Sequence, residues 1–207
     1  MEQELLFTAS KWEIIKLITI QDRSPLELSQ LLKTSVANIS QQLKFLETGG
    51  LIRKERVKNG GKGLPRLIYS LANECSYLIT AAKDFAGKKL VPLSAYNKII
   101  LKIWFLDNPE QRYPLEKAFW SMEPYWEKVE GLFLDQYMST DDLHLMVISK
   151  SKQVGSLCPL ISKSEGKSCK THFHVFSPDA WKKELTQREA KDFYALYDPH
   201  RFMSKGE

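Results

Sequence analysis

Cysteine and histidine are scarce in this chain of 207 residues, which holds three of the first and four of the second. Cys75, Cys158 and Cys169 are odd in number and irregularly spaced, which argues against a disulfide framework and fits reduced thiols in an intracellular chain. No Ser-His-Asp order and no Cys-His pairing stands out from so small a supply, so nucleophilic catalysis has no visible machinery. Long apolar runs are missing too: none approaches the eighteen residues of a membrane span. Met1-Glu2-Gln3-Glu4 is acidic where a secretory signal would be basic, and a cytoplasmic location is expected. Gly60-Gly61-Lys62-Gly63 lacks the spacing to a Lys-Ser/Thr pair and the strand-to-helix setting of a phosphate loop.

Acidic residues are in short supply only locally. Up to Val91 the chain carries 14 basic and 9 acidic residues, and beyond it 16 of each. The whole excess of five positive charges lies in the first part, which assigns a polyanionic partner to that part.

What is there begins at Ser24-Pro25-Leu26-Glu27. Serine can cap free N–H groups, proline fits the first helical position, and glutamate three residues on reaches back to the cap. Leu26, Leu28, Leu31 and Leu32 supply an apolar stripe. Lys33-Thr34-Ser35 then ends this helix and caps the next, expected to run to Leu46 or Glu47. Val36, Ile39, Leu43 and Leu46 are expected on its buried side, with Ala37, Asn38, Gln41 and Lys44 on the other. Such a face suits a major groove: amides pair with adenine edges or phosphates, lysine with guanine or phosphate, and alanine admits the backbone. Ser40 and Gln42 are candidate phosphate contacts.

Gly49-Gly50 stops that helix, and Leu51 to Val57 and Leu67 to Leu71 have strand character around Asn59-Gly60-Gly61-Lys62-Gly63, a hairpin tip. Between Leu51 and Arg66 the basic residues are Arg53, Lys54, Arg56, Lys58, Lys62 and Arg66, against Glu55 alone. A finger of this charge can follow a phosphate backbone or enter a minor groove.

From about Lys11 to Gly87 the arrangement resembles the ArsR-like winged-helix transcription regulators, including those of archaea. The likeness rests on Leu31-Leu32-Lys33-Thr34-Ser35, Ile39-Ser40-Gln41-Gln42-Leu43-Lys44-Phe45-Leu46, Gly50-Leu51-Ile52 and Tyr69-Ser70-Leu71. It implies that the helix from Ser35 reads DNA and that the glycine loop is a wing. The chain departs from the family where Cys and His often sense metal, since no such cluster is present, and neither a metal nor a cofactor is expected.

Asn73 to Ala86 is expected to be a helix, with Cys75, Leu78, Ile79, Ala82 and Phe85 along one stripe and Gly87 closing it. The resemblance implies that it packs with the helix Ser10 to Ile20 to form a two-fold dimer. Leu90-Val91-Pro92-Leu93 marks a linker. Ser94 caps a helix carrying Ile99, Ile100, Ile103 and Trp104 as far as Asp107-Asn108-Pro109, and another begins near Tyr113-Pro114 with Leu115, Phe119 and Met122. Pro124 restarts it before Tyr125, Trp126, Val129 and Leu132. These aromatics suit packing or a subunit contact.

Leu132-Phe133-Leu134, Leu143 to Ser149 and His172 to Phe176 are expected strands, followed by helices over Pro178 to Leu185 and from Thr186-Gln187-Arg188-Glu189. This order resembles the small nucleotidyltransferase fold, but Asp135-Gln136 stands where a Gly-Ser turn belongs and Asp142-Leu143-His144 where an Asp-x-Asp pair would bridge Mg²⁺ ions. That resemblance implies a non-catalytic relic. His172-Phe173-His174 puts two imidazoles on one strand face, with Cys169 or His144 as candidates to complete a zinc or copper set.

The expected fold class is therefore α+β: a winged helix-turn-helix with its following helix over residues 1–90, then a helical connector and a small α+β domain over 91–207 for sensing or assembly. The expected function is a sequence-specific regulator of transcription that binds double-stranded DNA as a homodimer on a near-palindromic site. An effector would act at the C-terminal part, and no membrane is involved. The competing readings are a DNA-tethered nucleotidyltransferase-like enzyme using Asp142 with Asp141 or Asp135, and a protein-interaction scaffold.

Overall fold

Three helices open the chain: α1 (Ala9–Ile20), α2 (Pro25–Leu31) and α3 (Val36–Thr48). In this computed structural model, which describes residues 7–57, 65–137, 142–164 and 167–203, the start of α2 is fixed by a reciprocal cap. Glu27 N–H donates to Ser24 Oγ at 3.3 Å, and Ser24 N–H donates to Glu27 Oε2 at 2.8 Å. Ser35 caps α3 by accepting the Asn38 N–H at 3.2 Å. The far end of α3 is closed by two backbone bonds, Gly50 N–H to Glu47 C=O at 2.9 Å and Leu51 N–H to Leu46 C=O at 3.0 Å. That closure needs a left-handed residue, and Gly50 supplies it with φ +73°.

Strands β1 (Ile52–Val57) and β2 (Arg66–Leu71) pair antiparallel from Ile52 opposite Leu71 to Val57 opposite Arg66. Arg23 adds a bridge to Tyr69 on β2. Ile14, Ile18, Leu28, Ile39, Leu43, Leu46 and Ile52 are nearly inaccessible and form one core under the three helices and this hairpin. Each such side chain stabilises the unit by roughly 2 kcal/mol.

Several expectations are corrected here. Val36 is 42% exposed, because it occupies the first position of α3 and points off the core side. Leu26 and Leu31 are also half-exposed while Leu28 is buried; residues two apart on a helix lie about 200° apart, so Leu26 and Leu28 cannot share a face. The larger correction is the expected dimerisation helix over Asn73–Ala86. That stretch instead forms β3 (Cys75–Ala81), a turn, and the start of β4 (Ala86–Pro92), paired antiparallel from Cys75 opposite Pro92 to Ala81 opposite Ala86. The apolar residues fall by chance at helical spacing, but Tyr77-Leu78-Ile79-Thr80 is dense in aromatic and branched side chains, and Lys83-Asp84 makes the turn. Gly87 lies inside β4 and closes no helix, and Leu90, Val91 and Pro92 complete that strand in place of a linker.

Residues 93–207 form a second unit, separate from residues 1–92. It opens with α4 (Ala95–Trp104), capped by Ser94 as its sequence implies, and α5 (Arg112–Ser121), followed by a 3₁₀ stretch at Glu123–Lys128. A five-stranded sheet follows in the order β7-β8-β6-β5-β9, with β5 (Gly131–Asp135), β6 (Leu143–Ile148), β7 (Leu160–Ser164), β8 (Lys167–Phe176) and β9 (Phe193–Tyr197). Only β6 and β8 are parallel. One face carries Leu132, Leu134, Leu145 and Val147 against Ile99, Ile103, Leu115 and Phe119. The other carries Phe133, Met146 and Ile148 against Trp181 of α6 (Pro178–Gln187).

A helix from Thr186 does not form. Arg188 is extended, with φ −125° and ψ 153°, and a short 3₁₀ turn leads into β9, whose Phe-Tyr-Ala-Leu-Tyr sequence pairs with β5. Buried Asp135 holds Arg188 out of the helix through two bonds, of 2.7 and 2.8 Å.

Candidate nucleic-acid interface

Helix α3 separates its two faces cleanly. Ile39, Leu43 and Leu46 anchor it, while Ala37, Asn38, Ser40, Gln41 and Lys44 are exposed and Gln42 is half-buried. The row is partly pre-ordered: the Asn38 amide donates to Thr34 Oγ1 at 3.1 Å, and the Gln42 amide donates to Asn38 Oδ1 at 3.5 Å. Gln42 Oε1 is buried with no hydrogen-bond partner. Fixing Asn38 in this way reduces the entropy lost when it meets a base edge. Thr34, which the sequence marks only as part of the Lys33-Thr34-Ser35 helix boundary, also orients Asn38, as its place four residues earlier allows.

The strand cations divide by register. Ile52, Lys54 and Arg56 point to one side of β1, and Arg53 and Glu55 to the other. Lys54 Nζ reaches Glu47 of α3 at 2.9 Å, and this partner holds its ammonium above the usual lysine range. It is paired with Tyr69 across the strands, and burial pushes that phenol up. Arg53 Nε donates to Ser70 Oγ at 3.1 Å and lies 3.5 Å from Glu55, whereas Arg56 is exposed. Arg66 turns back to the α2 cap, donating to Ser24 Oγ and meeting Glu27 Oε1, both at 2.9 Å. The Glu27 carboxyl is held below its usual range, first by the Ser24 N–H, then by the Ser24 hydroxyl, with Arg66 adding to it. Lys58, Lys62 and the glycine tip between them lie outside the described residues.

The geometry presents an exposed polar helix face and, next in the chain, a hairpin bearing accessible cations. Both suit a duplex: the helix a groove, the cations its phosphates.

All four histidines lie in the second unit, and three of them cluster on two neighbouring strands. His144 on β6 stacks between His172 and His174 on β8, with ring centroids 4.9 and 5.2 Å away. His144 Nδ1 and His174 Nε2 lie 2.9 Å apart. Parallel stacked rings do not converge their nitrogens on one point, and among the described residues no group of three or more His, Cys, Asp or Glu is placed to hold a metal ion. Asp142 accepts the Lys170 N–H at 3.0 Å and meets His172 Nε2 at 3.3 Å, and that backbone bond is the main reason its carboxyl lies below the usual range. Asp141 lies outside the described residues. Burial, followed by His144 and His172, pushes His174 down, against a smaller opposing pull from Asp135.

The three helices and first strands define a helix-turn-helix unit of the winged type. Residues 9–54, from α1 into β1, match the model of the bacterial regulatory protein, arsR family. No curated protein matches the chain. This match over the helix-turn-helix supports a DNA-binding regulator of transcription. No helix among the described residues is long and apolar enough to cross a membrane.

Proposed function

We propose that the protein regulates transcription by binding a specific double-stranded DNA site as a homodimer, in the cytoplasm and without catalysis. Asn38, Gln41 and Lys44 read base edges in the major groove, Ala37 lets α3 approach closely, and Ser40 and Gln42 touch phosphates. Arg53, Arg56, Lys58 and Lys62 follow the backbone, while Lys54 and Arg66 do so from positions shared with Glu47 and Glu27. A dimer sets two copies of α3 about one helical turn apart, which implies a near-palindromic site. The observation that carries this reading is the exposed polar row of α3, raised on the buried Ile39-Leu43-Leu46 spine within the segment that matches the arsR model.

Gln41→Ala tests it. The substitution is expected to cost about 1 to 3 kcal/mol at the preferred site and little on unrelated duplexes. Equal loss on both, measured by anisotropy titration, removes Gln41 from the reading role.

The second unit is proposed to receive an effector, for which the groove lined by Lys182, Leu185, Arg188 and Met203 is available. The nucleotidyltransferase-like alternative would need Asp142 for metal, but its carboxylate is already engaged by Lys170 N–H and His172. Saturable binding of a nucleotide with Mg²⁺, abolished by Asp142→Ala, would revive that alternative.

A further inference from the structure

The hairpin of β3 and β4 is a two-stranded sheet, and among the described residues no strand pairs with the outer edge of β3. Isolated two-stranded hairpins are marginal in water, and an open edge of polar backbone invites another strand. Natural edges are guarded by charge, and β3 has none: Cys75-Ser76-Tyr77-Leu78-Ile79-Thr80-Ala81 contains no Asp, Glu, Lys or Arg. Strand β4 is guarded, with Lys88, Lys89 and Pro92. Ile79 is 70% exposed, Phe85 61% and Leu78 41%. Side chains alternate along a strand, so Leu78 and Ile79 leave apolar surface exposed on both faces of the arm.

The backbone says which groups face outward. Ala82 N–H donates to Phe85 C=O at 2.7 Å, so these two residues form a hydrogen-bonded pair. Bonded and non-bonded pairs alternate along an antiparallel ladder. Thr80, Leu78 and Ser76 therefore turn their backbone groups toward β4, and Ala81, Ile79, Tyr77 and Cys75 turn theirs to the open edge.

We propose that this edge binds the same edge of a second copy of the chain, antiparallel about a two-fold axis at Leu78, giving a continuous sheet in the order β4-β3-β3-β4. The proposal rests on the homodimer reading above and names its surface. Leu78 is the midpoint of β3, so this register overlaps the full strand. It sets Tyr77 opposite Ile79 of the second copy, both with outward backbone groups, so they can exchange bonds. It also sets Ser76 opposite Thr80 and Leu78 opposite itself. Aromatic-to-branched and hydroxyl pairs are favourable cross-strand neighbours, and no like charges meet. The contact surface extends from Tyr77 to Phe7 and on to Trp12, through ring centroids 5.1 and 6.4 Å apart. That extends the face shared by Tyr77 and Ile79 toward the roughly 800 Å² per partner of a stable interface. Pairing through β3 alone closes at two copies, because the outer edges of the new sheet are the lysine-bearing β4 strands.

The register supplies its own test in the full chain. With Cys75, Cys158 and Cys169 changed to Ser, Leu78→Cys places two thiols at a non-hydrogen-bonded pair, where Cα atoms lie about 4.5 Å apart, within disulfide reach. Mild oxidation is expected to yield a covalent dimer, whereas Thr80→Cys, two residues off the axis, is expected to yield little. Ile79→Pro removes an outward N–H without touching the bonds to β4. It should weaken the dimer at least ~30-fold by sedimentation equilibrium while the circular dichroism spectrum is retained. If the parent protein is dimeric but Leu78→Cys does not cross-link and Ile79→Pro has no effect, the dimer forms elsewhere and this surface is wrong. A parent that stays monomeric at every concentration and on DNA would instead overturn the homodimer reading itself.

Discussion

Two antiparallel hairpins follow one another in the first unit, and they differ in almost everything except topology. Strand β1 is loaded with Arg53, Lys54, Glu55 and Arg56, and its partner β2 is bound into the core through Tyr69, 7% exposed. Strand β3 is free of charge and becomes more exposed along its length, with every residue from Leu78 to Ala81 exposed. A charged edge repels other strands and attracts phosphate; an uncharged exposed edge does the reverse. On the reading proposed above, side chains alone give one local architecture a nucleic-acid role in the first hairpin and a protein role in the second.

The largest expected effect separates the hairpins by burial. Tyr69→Ala should cost about 3 to 5 kcal/mol of the first unit's stability in urea unfolding, by analogy with other buried aromatics. Ile79→Ala should cost no more than about 0.5 kcal/mol in the monomer. Similar losses at the two positions would break the contrast.

Next comes charge. Arg53→Glu together with Arg56→Glu should weaken binding to all duplexes about 100-fold at low salt and reduce the slope of log K against log salt by about 2. Substitutions on β3 should leave that slope unchanged.

Acid should act on the two units at different pH. His174 has its folded pKa depressed from 6.5, so the unfolded chain takes up the proton first. The contribution of His174 to the second unit's stability is therefore fully present above about pH 6.5 and is lost as the pH falls toward its lower folded pKa. Glu27 in the first unit is depressed from 4.5, so its contribution is present above that pH and is lost as acid carries the group through its lower folded pKa. Hydrogen exchange at pH 5.5 should show the sheet of the second unit weakened relative to pH 7.5 and the core of the first unit little changed. His174→Gln should reduce that pH dependence.

The smallest effect concerns the turn between α2 and α3. Lys33 holds φ +52°, a region where glycine is at ease. Lys33→Gly should raise the first unit's stability by about 0.5 to 1 kcal/mol, measured by thermal unfolding.

The helix-turn-helix was legible because its signals are local. Ser24 and Glu27, Ser35, and Gly49-Gly50 each specify a boundary within a few residues. Its core was less so, since Leu26, Leu28 and Leu31 are chemically alike and only three-dimensional packing selects Leu28. The arm was misread as helix because Cys75, Leu78, Ile79, Ala82 and Phe85 satisfy a helical period, while the pairing that makes it a hairpin lies across the turn in β4. In the second unit β5, β6 and β8 showed as apolar runs. Leu160–Ser164 and Phe193–Tyr197 were not assigned from sequence, since their strand character depends on docking at the sheet edges beside β8 and β5. On α3 the exposed face followed from periodicity, but the engagement of Arg66 by Ser24 and Glu27 spans some forty residues and no local pattern announces it.

Selection of bound duplexes from a random pool, carried out with the full chain at two salt concentrations, tests the central claim most directly. The account predicts enrichment of one two-fold symmetric sequence at the higher salt and broad, sequence-independent retention of duplexes at the lower. No retained duplex at low ionic strength would contradict it.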